Sequence, residues 1–325
     1  MKRREFITLA SSAAAAGALP VGTRAQRPKL PVVGVLSPAR NGNERGLIEG
    51  LHELGYIDGE NVRFEYRWAD GNFDRLPDLA SELVQLKVDV IVAFVTQAAQ
   101  SARKQTNSIP IVMVGVSDPV GAGLAASLSH PGGNVTGTSS LAAAVVGKQL
   151  ELLKLVAADG RGIAAMFNPS NVTFQTLQVN EAKTASARLG LPVRFIEVRA
   201  VSEFDGAFDN VARAKDRALL ILIDPLFIAN AKALAELSVK SRLITMTGYR
   251  TFAEAGALMS YGPNYFASYK AAAPYVAKIL KGENPADLPV DQSSRFEFVV
   301  NMKTAKALGV EIPASVSAFA DEIID

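Results

Sequence analysis

Apolar and polar positions alternate along this chain in blocks that are typical of strands followed by helices. Short continuous apolar runs such as Val32–Leu36 and Val88–Phe94 predict strands buried on both faces. The alternating run Val62–Trp68 predicts a strand near a sheet edge, and helical spacing of leucines in Asn43–Gly55 predicts an amphipathic helix. Further helices are predicted over Phe73–Leu86, Leu124–Leu128 and Ala229–Lys240. This succession predicts parallel sheets with right-handed crossovers, the doubly wound α/β class.

The chain contains two successive series of alternating strands and helices. The first series ends near Thr138–Ala144, and the helix Gly147–Ala157 opens a second series. A chain of 325 residues also exceeds the usual size of a single core, so we expect two α/β lobes. The end of the chain departs from the rhythm: a long helix over Tyr265–Lys281 precedes a strand over Arg295–Val300 and a helix over Lys303–Leu308. These elements predict late returns of the chain to both lobes.

The N-terminal segment carries the pattern of an export signal. Arg3-Arg4 precede Phe6, the apolar run Ile7–Leu19 follows, and Thr23-Arg24-Ala25 offers a small-residue cleavage site. Paired arginines at this place predict a signal of the twin-arginine type over residues 1–25 and a periplasmic protein. The apolar run is shorter than the ~20 residues of a membrane span, so we expect no stable membrane insertion after cleavage.

Composition excludes several kinds of chemistry. Cleavage would remove four basic residues and one acidic residue, which leaves the mature chain near neutral and without a basic stripe for nucleic acid. The absence of cysteine excludes disulfides, a thiolate nucleophile, a Cys-ligated metal and a lipid anchor. The two histidines, His52 and His130, stand in no metal or catalytic spacing. We expect neither a metal nor a catalytic triad, and no GxSxG elbow supports one.

One glycine motif resembles a dinucleotide fingerprint. Gly121-Ala122-Gly123-Leu124-Ala125-Ala126 matches G-x-G-x-x-A, but it follows the fourth predicted strand, whereas the fingerprint belongs to the first. No acidic residue ends a strand about 20 residues further on. We therefore expect no cofactor.

Polar side chains follow many predicted strands. Ligands of open parallel sheets bind beyond the carboxyl ends of the strands, so these residues are candidates for a site in a shared cleft. For the Ser, Thr, Asn and Asp residues among them the alternative is helix capping, and for the tyrosines it is core or surface packing. The candidate ligand-binding residues are Ser37, Thr96, Gln97, Asp118, Ser139, Asn168, Asp224, Tyr249 and Tyr261.

Two carboxylates stand out among these candidates. Asp118 and Asp224 both follow apolar strands and precede proline, which fixes the turn that presents them. Either would pair with an amine on the solute, and helix-start N–H groups near Ser37, Thr96 and Ser139 would receive a carboxylate. The alternative that both aspartates only cap helices stays open.

Four stretches of the chain resemble one known family. They are similar to the ABC-transporter solute-binding proteins of the type I periplasmic-binding class, and within it to the branch of tryptophan- and tyrosine-binding lipoproteins of Gram-positive bacteria. The resemblance covers nearly the whole mature chain. The stretches are IEGLHELGYIDGENVRFEYRWADGNFDRLPDLASELV, IPIVMVGVSDPVGAGLAASLSHPGGNVTG, SYGPNY and KILKGENPADLPVDQSSRFEFVVNMKTAKALGVEIP.

The resemblance implies a two-lobed protein that encloses one small solute by hinge closure and passes it to an ABC permease with its ATPase. It implies crossovers near Thr138, Pro263 and Pro289. Lobe one would then comprise residues 30–138 and 264–288, and lobe two residues 139–263 and 289–325. It implies no catalysis, and an amino acid or a related small organic molecule as the solute.

Two departures from the relatives affect these expectations. Val95-Thr96 stands where relatives often have a Gly-Thr pair, so local ligand contacts are expected to differ. The missing lipid anchor predicts a freely diffusing periplasmic protein. The rival interpretations are a secreted α/β enzyme with a similar cleft and the ligand-binding subunit of a sensory receptor.

Overall fold

The computed structural model describes residues 30–40, 42–157, 162–293 and 295–325 of the chain. The predicted export signal, residues 1–25, lies outside the described residues. Within the described ranges the chain forms two mainly parallel sheets with helices packed on both faces, which confirms the predicted fold class. No helix in these ranges combines the length and the apolar character needed to cross a bilayer.

The first sheet, which defines lobe one, has six parallel strands. The strands are β1 (Val32–Ser37), β2 (Arg63–Trp68), β3 (Val90–Phe94), β4 (Ile111–Val116), β5 (Val135–Ser140) and β11 (Asp291–Ser293). They lie in the order β11-β5-β4-β3-β1-β2, so β2 is an edge strand as predicted. The helices of this lobe are α1 (Glu44–Glu53), α2 (Leu76–Gln85), α3 (Val95–Gln105), α10 (Tyr265–Lys270) and α11 (Ala273–Leu280).

The second sheet, which defines lobe two, has seven strands. They are β6 (Ile163–Phe167), β7 (Val193–Glu197), β8 (Ala218–Ile221), β9 (Ile244–Thr247), β10 (Met259–Pro263), β12 (Phe296–Asn301) and β13 (Glu322–Ile324). Their order is β13-β12-β10-β9-β8-β6-β7, and among the described strands only β10 and β12 pair antiparallel. The helices are α4 (Val146–Val156), α5 (Val172–Leu189), α6 (Phe204–Ala214), α7 (Pro225–Ala229), α8 (Ala231–Lys240), α9 (Arg250–Glu254), α12 (Met302–Leu308) and α13 (Ala314–Ser317).

The chain passes between the two sheets three times. It leaves the first sheet after Ser140, returns to lobe one after Pro263, and enters the second sheet again after the strand β11. The first sheet therefore reaches slightly beyond Thr138 and also takes up residues that follow Pro289. The lobe ranges that the resemblance implies stay a prediction.

Three predicted helices differ in the structure. The long helix over Tyr265–Lys281 is two helices, α10 and α11, because Pro274 has no N–H and stands in the first turn of α11. The helix predicted over Ala229–Lys240 begins two residues later, as α8, and Ala229 instead ends the short preceding helix α7. The short helix at Leu124–Leu128 is absent, and turns take its place after Gly123, whose φ is +70°.

Candidate functional site

A cavity lies between the two lobes at the carboxyl ends of several strands. It contains about 690 Å³ of empty space, counting the part that opens to solvent. Both lobes contribute to its walls, so a solute there would contact both. The lining residues are Ser37, Pro38, Ala39, Val95, Thr96, Gln97, Val114, Gly115, Ser117, Ser140, Ala142, Asn171, Phe174, Ile223, Pro225, Ile228, Tyr249, Tyr265 and Tyr269.

Four of the predicted site residues line this cavity: Ser37, Thr96, Gln97 and Tyr249. Ser37 Oγ donates to the carbonyl oxygen of Ala39 at 2.8 Å, which fixes the loop after β1. Thr96 lies in the first turn of α3 with 4% of its surface exposed, and its hydroxyl has no hydrogen-bond partner among the described residues. These side chains come from strand ends and the helix starts that follow them, as the α/β topology predicts.

Three further predicted residues lie elsewhere. Asp118 is exposed, and its Oδ1 accepts from the backbone N–H of Gly121 at 2.8 Å, so it stabilises its own turn. Ser139 Oγ donates to the carbonyl oxygen of Asp291 at 3.3 Å and ties β5 to β11. Tyr261 packs edge-on against Phe298 in the core of lobe two. The adjacent residues Ser117 and Ser140 line the cavity instead.

The remaining pair, Asn168 and Asp224, forms a buried polar cluster beside the cavity. Asp224 is fully buried, and each of its oxygens accepts two N–H groups. Its Oδ1 accepts from Asn168 Nδ2 at 3.0 Å and Leu226 N at 2.9 Å, and its Oδ2 accepts from Asn171 Nδ2 at 2.9 Å and Gln175 Nε2 at 3.3 Å. Burial raises the pKa of Asp224, while these donors oppose the rise. The carboxylate therefore organises the loops around the cavity and does not line it.

Aromatic rings form one wall of the cavity and join the lobes. The ring of Tyr249 from lobe two packs on that of Tyr265 from lobe one, with centroids 4.5 Å apart. Asn43 Nδ2 donates to Tyr249 Oη, and on another side Gln97 Nε2 donates to Asn171 Oδ1. Burial raises the pKa of both Tyr249 and Tyr265, so their phenols stay neutral at physiological pH. Two polar contacts and one ring contact thus bridge the lobes around the cavity.

Val95 has an unusual backbone conformation at the cavity wall. Its φ is +65°, in the left-handed region that disfavours β-branched side chains. It is the first residue of α3 and directly precedes Thr96. Strain of this kind is tolerated where the surrounding structure holds the chain in place, and it often occurs at ligand sites.

Replacing Val95 by glycine should relieve this strain. We expect Val95→Gly to be more stable than Val95→Ala by about 1 kcal/mol, because both variants lose the side chain and only glycine adopts a positive φ freely. Urea denaturation of the two variants measures the difference. Equal midpoints for glycine and alanine would contradict a strained backbone at this position.

Several lining residues carry no polar signal and were not predicted. Phe174, Ile223 and Ile228 are apolar and cannot be told from core residues in the sequence. Tyr265 and Tyr269 reach the cavity because α10 returns to lobe one after the second crossing. Of these, Tyr265 stands close in the sequence to the candidate Tyr261, which is the one indication that the sequence offers.

Comparison with known proteins places the chain in a family. The family model for ABC transporter substrate binding protein matches residues 31–324. The chain therefore belongs to the ABC transporter substrate-binding protein family, which confirms the resemblance read from the sequence. This family consists of solute-binding proteins and is not an enzyme class.

Individual relatives are consistent with this assignment. The chain is 29% identical over 274 residues to a tyrosine-binding protein of Clostridioides difficile (strain R20291), covering 84% of this chain and 78% of the relative. It is similar to an ABC domain of Streptococcus pneumonia solved in complex with L-Trp, at 29% identity, with 91% and 100% of the chains covered and a TM-score of 0.83. A ligand-free, open substrate-binding protein with adhesive properties from Clostridium difficile matches at 28% identity over 91% and 99% of the chains, with a TM-score of 0.65.

Proposed function

We propose that this protein is the periplasmic substrate-binding component of an ABC import system and captures one small aromatic solute between its lobes. The observation that carries the proposal is the cavity itself, whose walls come from both lobes and include the rings of Phe174, Tyr249 and Tyr265. Such rings stack on planar solutes. Relatives that bind tyrosine or were solved with L-Trp support an aromatic solute.

A closed arrangement of the two lobes is part of this proposal, and two observations support it. The chain fits the relative solved with L-Trp at a TM-score of 0.83, but the open, ligand-free relative at only 0.65, although the two identities are 29% and 28%. Lobe-to-lobe contacts such as Asn43–Tyr249 and Gln97–Asn171 agree with closure. A solute that contacts both lobes stabilises the closed form relative to the open one.

The protein hands the solute over without changing it. The cavity is lined by hydroxyls, carboxamides and phenols together with apolar groups, which suit recognition. In this proposal a permease with its ATPase receives the closed, loaded form. Family membership supports this partner over a sensory receptor, and the family supports binding over an enzymatic role in a similar cleft.

Binding of an aromatic solute should stabilise and compact the protein. We expect its melting temperature to rise in a thermal-shift series of aromatic solutes, by an amount equivalent to ~2.7 kcal/mol at a hundredfold excess over Kd. Small-angle scattering with the best solute should give a smaller radius of gyration than without it. An aliphatic solute of equal charge is the control. An unchanged scattering profile at saturation would argue against solute-driven closure.

Export should depend on the paired arginines. We propose the twin-arginine route from the sequence around Arg3-Arg4, and expect that replacing both by lysine leaves the protein in the cytoplasm. Cell fractionation followed by immunoblotting measures the periplasmic share. The variant Arg27→Lys, which makes the same exchange beyond the predicted cleavage site, is the control and should be exported normally. Normal periplasmic yield of the double-lysine variant would reject this route.

A further inference from the structure

The polar side chains of the cavity walls restrict the class of solute further than the aromatic rings do by themselves. Among the described lining residues, the polar side chains are hydroxyls, phenols and carboxamides, and none is Asp, Glu, Lys, Arg or His. An ammonium group removed from water is costly unless a carboxylate pairs with it. A free α-amino acid would bring such a group into these walls.

The buried carboxylate closest in sequence to the lining does not supply this partner. Asp224 stands between the lining residues Ile223 and Pro225, yet both of its oxygens accept N–H groups of the protein. Turning it toward a solute would leave the amides of Asn168 and Asn171, each 3% exposed, without their acceptor. The cluster therefore works against an amine at this wall.

The start of α3 offers hydrogen-bond donors to a negatively charged group of the solute. Thr96 is 4% exposed and lines the cavity, and its hydroxyl has no hydrogen-bond partner among the described residues. The helix α3 has 11 residues, and two of its features favour an anion near this hydroxyl. The N–H groups of a first helical turn have no partner inside the helix, and the helix dipole favours an anion there.

Given the proposed function, on which this step rests, we propose that the solute is an aromatic carboxylate without an α-ammonium group. Its carboxylate binds Thr96 Oγ1 and the first turn of α3, and its ring lies among the aromatic side chains of the cavity. An anion without a cationic neighbour matches a cavity that offers N–H and O–H donors and neutral walls.

Paired probes that differ only in the ammonium group test this proposal. Isothermal titration calorimetry on the mature protein compares 3-(4-hydroxyphenyl)propanoate with L-tyrosine, and indole-3-propanoate with L-tryptophan. We expect at least one of the acids to bind about tenfold or more tightly than its amino acid. Equal or tighter binding of both amino acids overturns the proposal and leaves the proposed function intact. Failure of all four probes to bind overturns both.

Variants of Thr96 test the carboxylate position separately. Thr96→Val removes the hydroxyl at nearly constant shape, and we expect the bound acid to lose about tenfold in affinity with an unchanged melting temperature. Thr96→Ser should restore the affinity. The affinity for 4-ethylphenol, which has no carboxylate, should not change in Thr96→Val. An unchanged affinity for the acid, or an equal loss for 4-ethylphenol, overturns the assignment.

Discussion

Replacing Asp224 by alanine is expected to lower the free energy of unfolding by about 4 kcal/mol. The variant leaves the buried side-chain amides of Asn168 and Asn171 without this acceptor, and it also removes the cap of α7. Gln175 loses one of two acceptors and keeps the carbonyl oxygen of Ile223. Buried donors without a partner cost the full desolvation of each group. Urea denaturation followed by circular dichroism measures the change.

Asp118 supplies the matched control for this experiment. It also follows an apolar strand and precedes proline, but it is exposed and accepts a single backbone N–H, that of Gly121. We expect Asp118→Ala to cost at most ~1 kcal/mol, as for the loss of an exposed cap. A variant Asp224→Ala that melts like the wild type but binds solute tenfold more weakly would instead identify Asp224 as a solute contact.

Replacing Gly262 by alanine is expected to damage both stability and binding. A Cβ atom at this position of β10 would lie 2.0 Å from the carbonyl oxygen of Gly248 and 2.7 Å from its carbonyl carbon. The obstacle is backbone, which no side-chain rotation can remove, so we expect a loss of about 3 kcal/mol. Tyr249 follows Gly248 directly, and its displacement from the cavity wall should weaken solute binding as well.

Gly206 in α6 is the control for this substitution. A Cβ there meets open space, and alanine is the better helix former, so Gly206→Ala should raise the free energy of unfolding by about 0.5–1 kcal/mol. Denaturation midpoints and calorimetric affinities of both variants decide the matter. Equal free energies of unfolding for Gly262→Ala and Gly206→Ala would show that the close approach of β10 to Gly248 does not limit the residue at position 262.

The regular elements could be predicted because their signals are local. The run Val32–Leu36 became β1, a strand buried on both faces, and the alternating run that ends at Trp68 became the edge strand β2. Errors arose where a single residue breaks a periodic pattern. The spacing of apolar residues through Tyr265–Lys281 continues past Pro274, but the backbone at that proline does not form one uninterrupted helix.

The sequence predicted which strand ends border the cavity, but it did not predict which side chain at each strand end lines it. Ser37, Thr96, Gln97 and Tyr249 line the cavity because every strand of a parallel sheet ends on the same side. At two other strand ends the adjacent residue lines it instead, Ser117 beside Asp118 and Ser140 beside Ser139. Ser139 and Ser140 are neighbours in β5, so their side chains point in opposite directions. Asp118 lies after the end of β4, where its carboxylate accepts from the N–H of Gly121 in its own turn.

The sequence by itself determined the fold class and the family, because periodicity and motifs are local properties of the chain. The tertiary structure decided the role of Asp224, since three amides distant in sequence from it take up its oxygens. It also decided the aromatic wall, because Tyr249 and Tyr265 lie in different lobes and their rings pack together. Contacts between distant segments depend on the packing of whole elements, which no local pattern specifies.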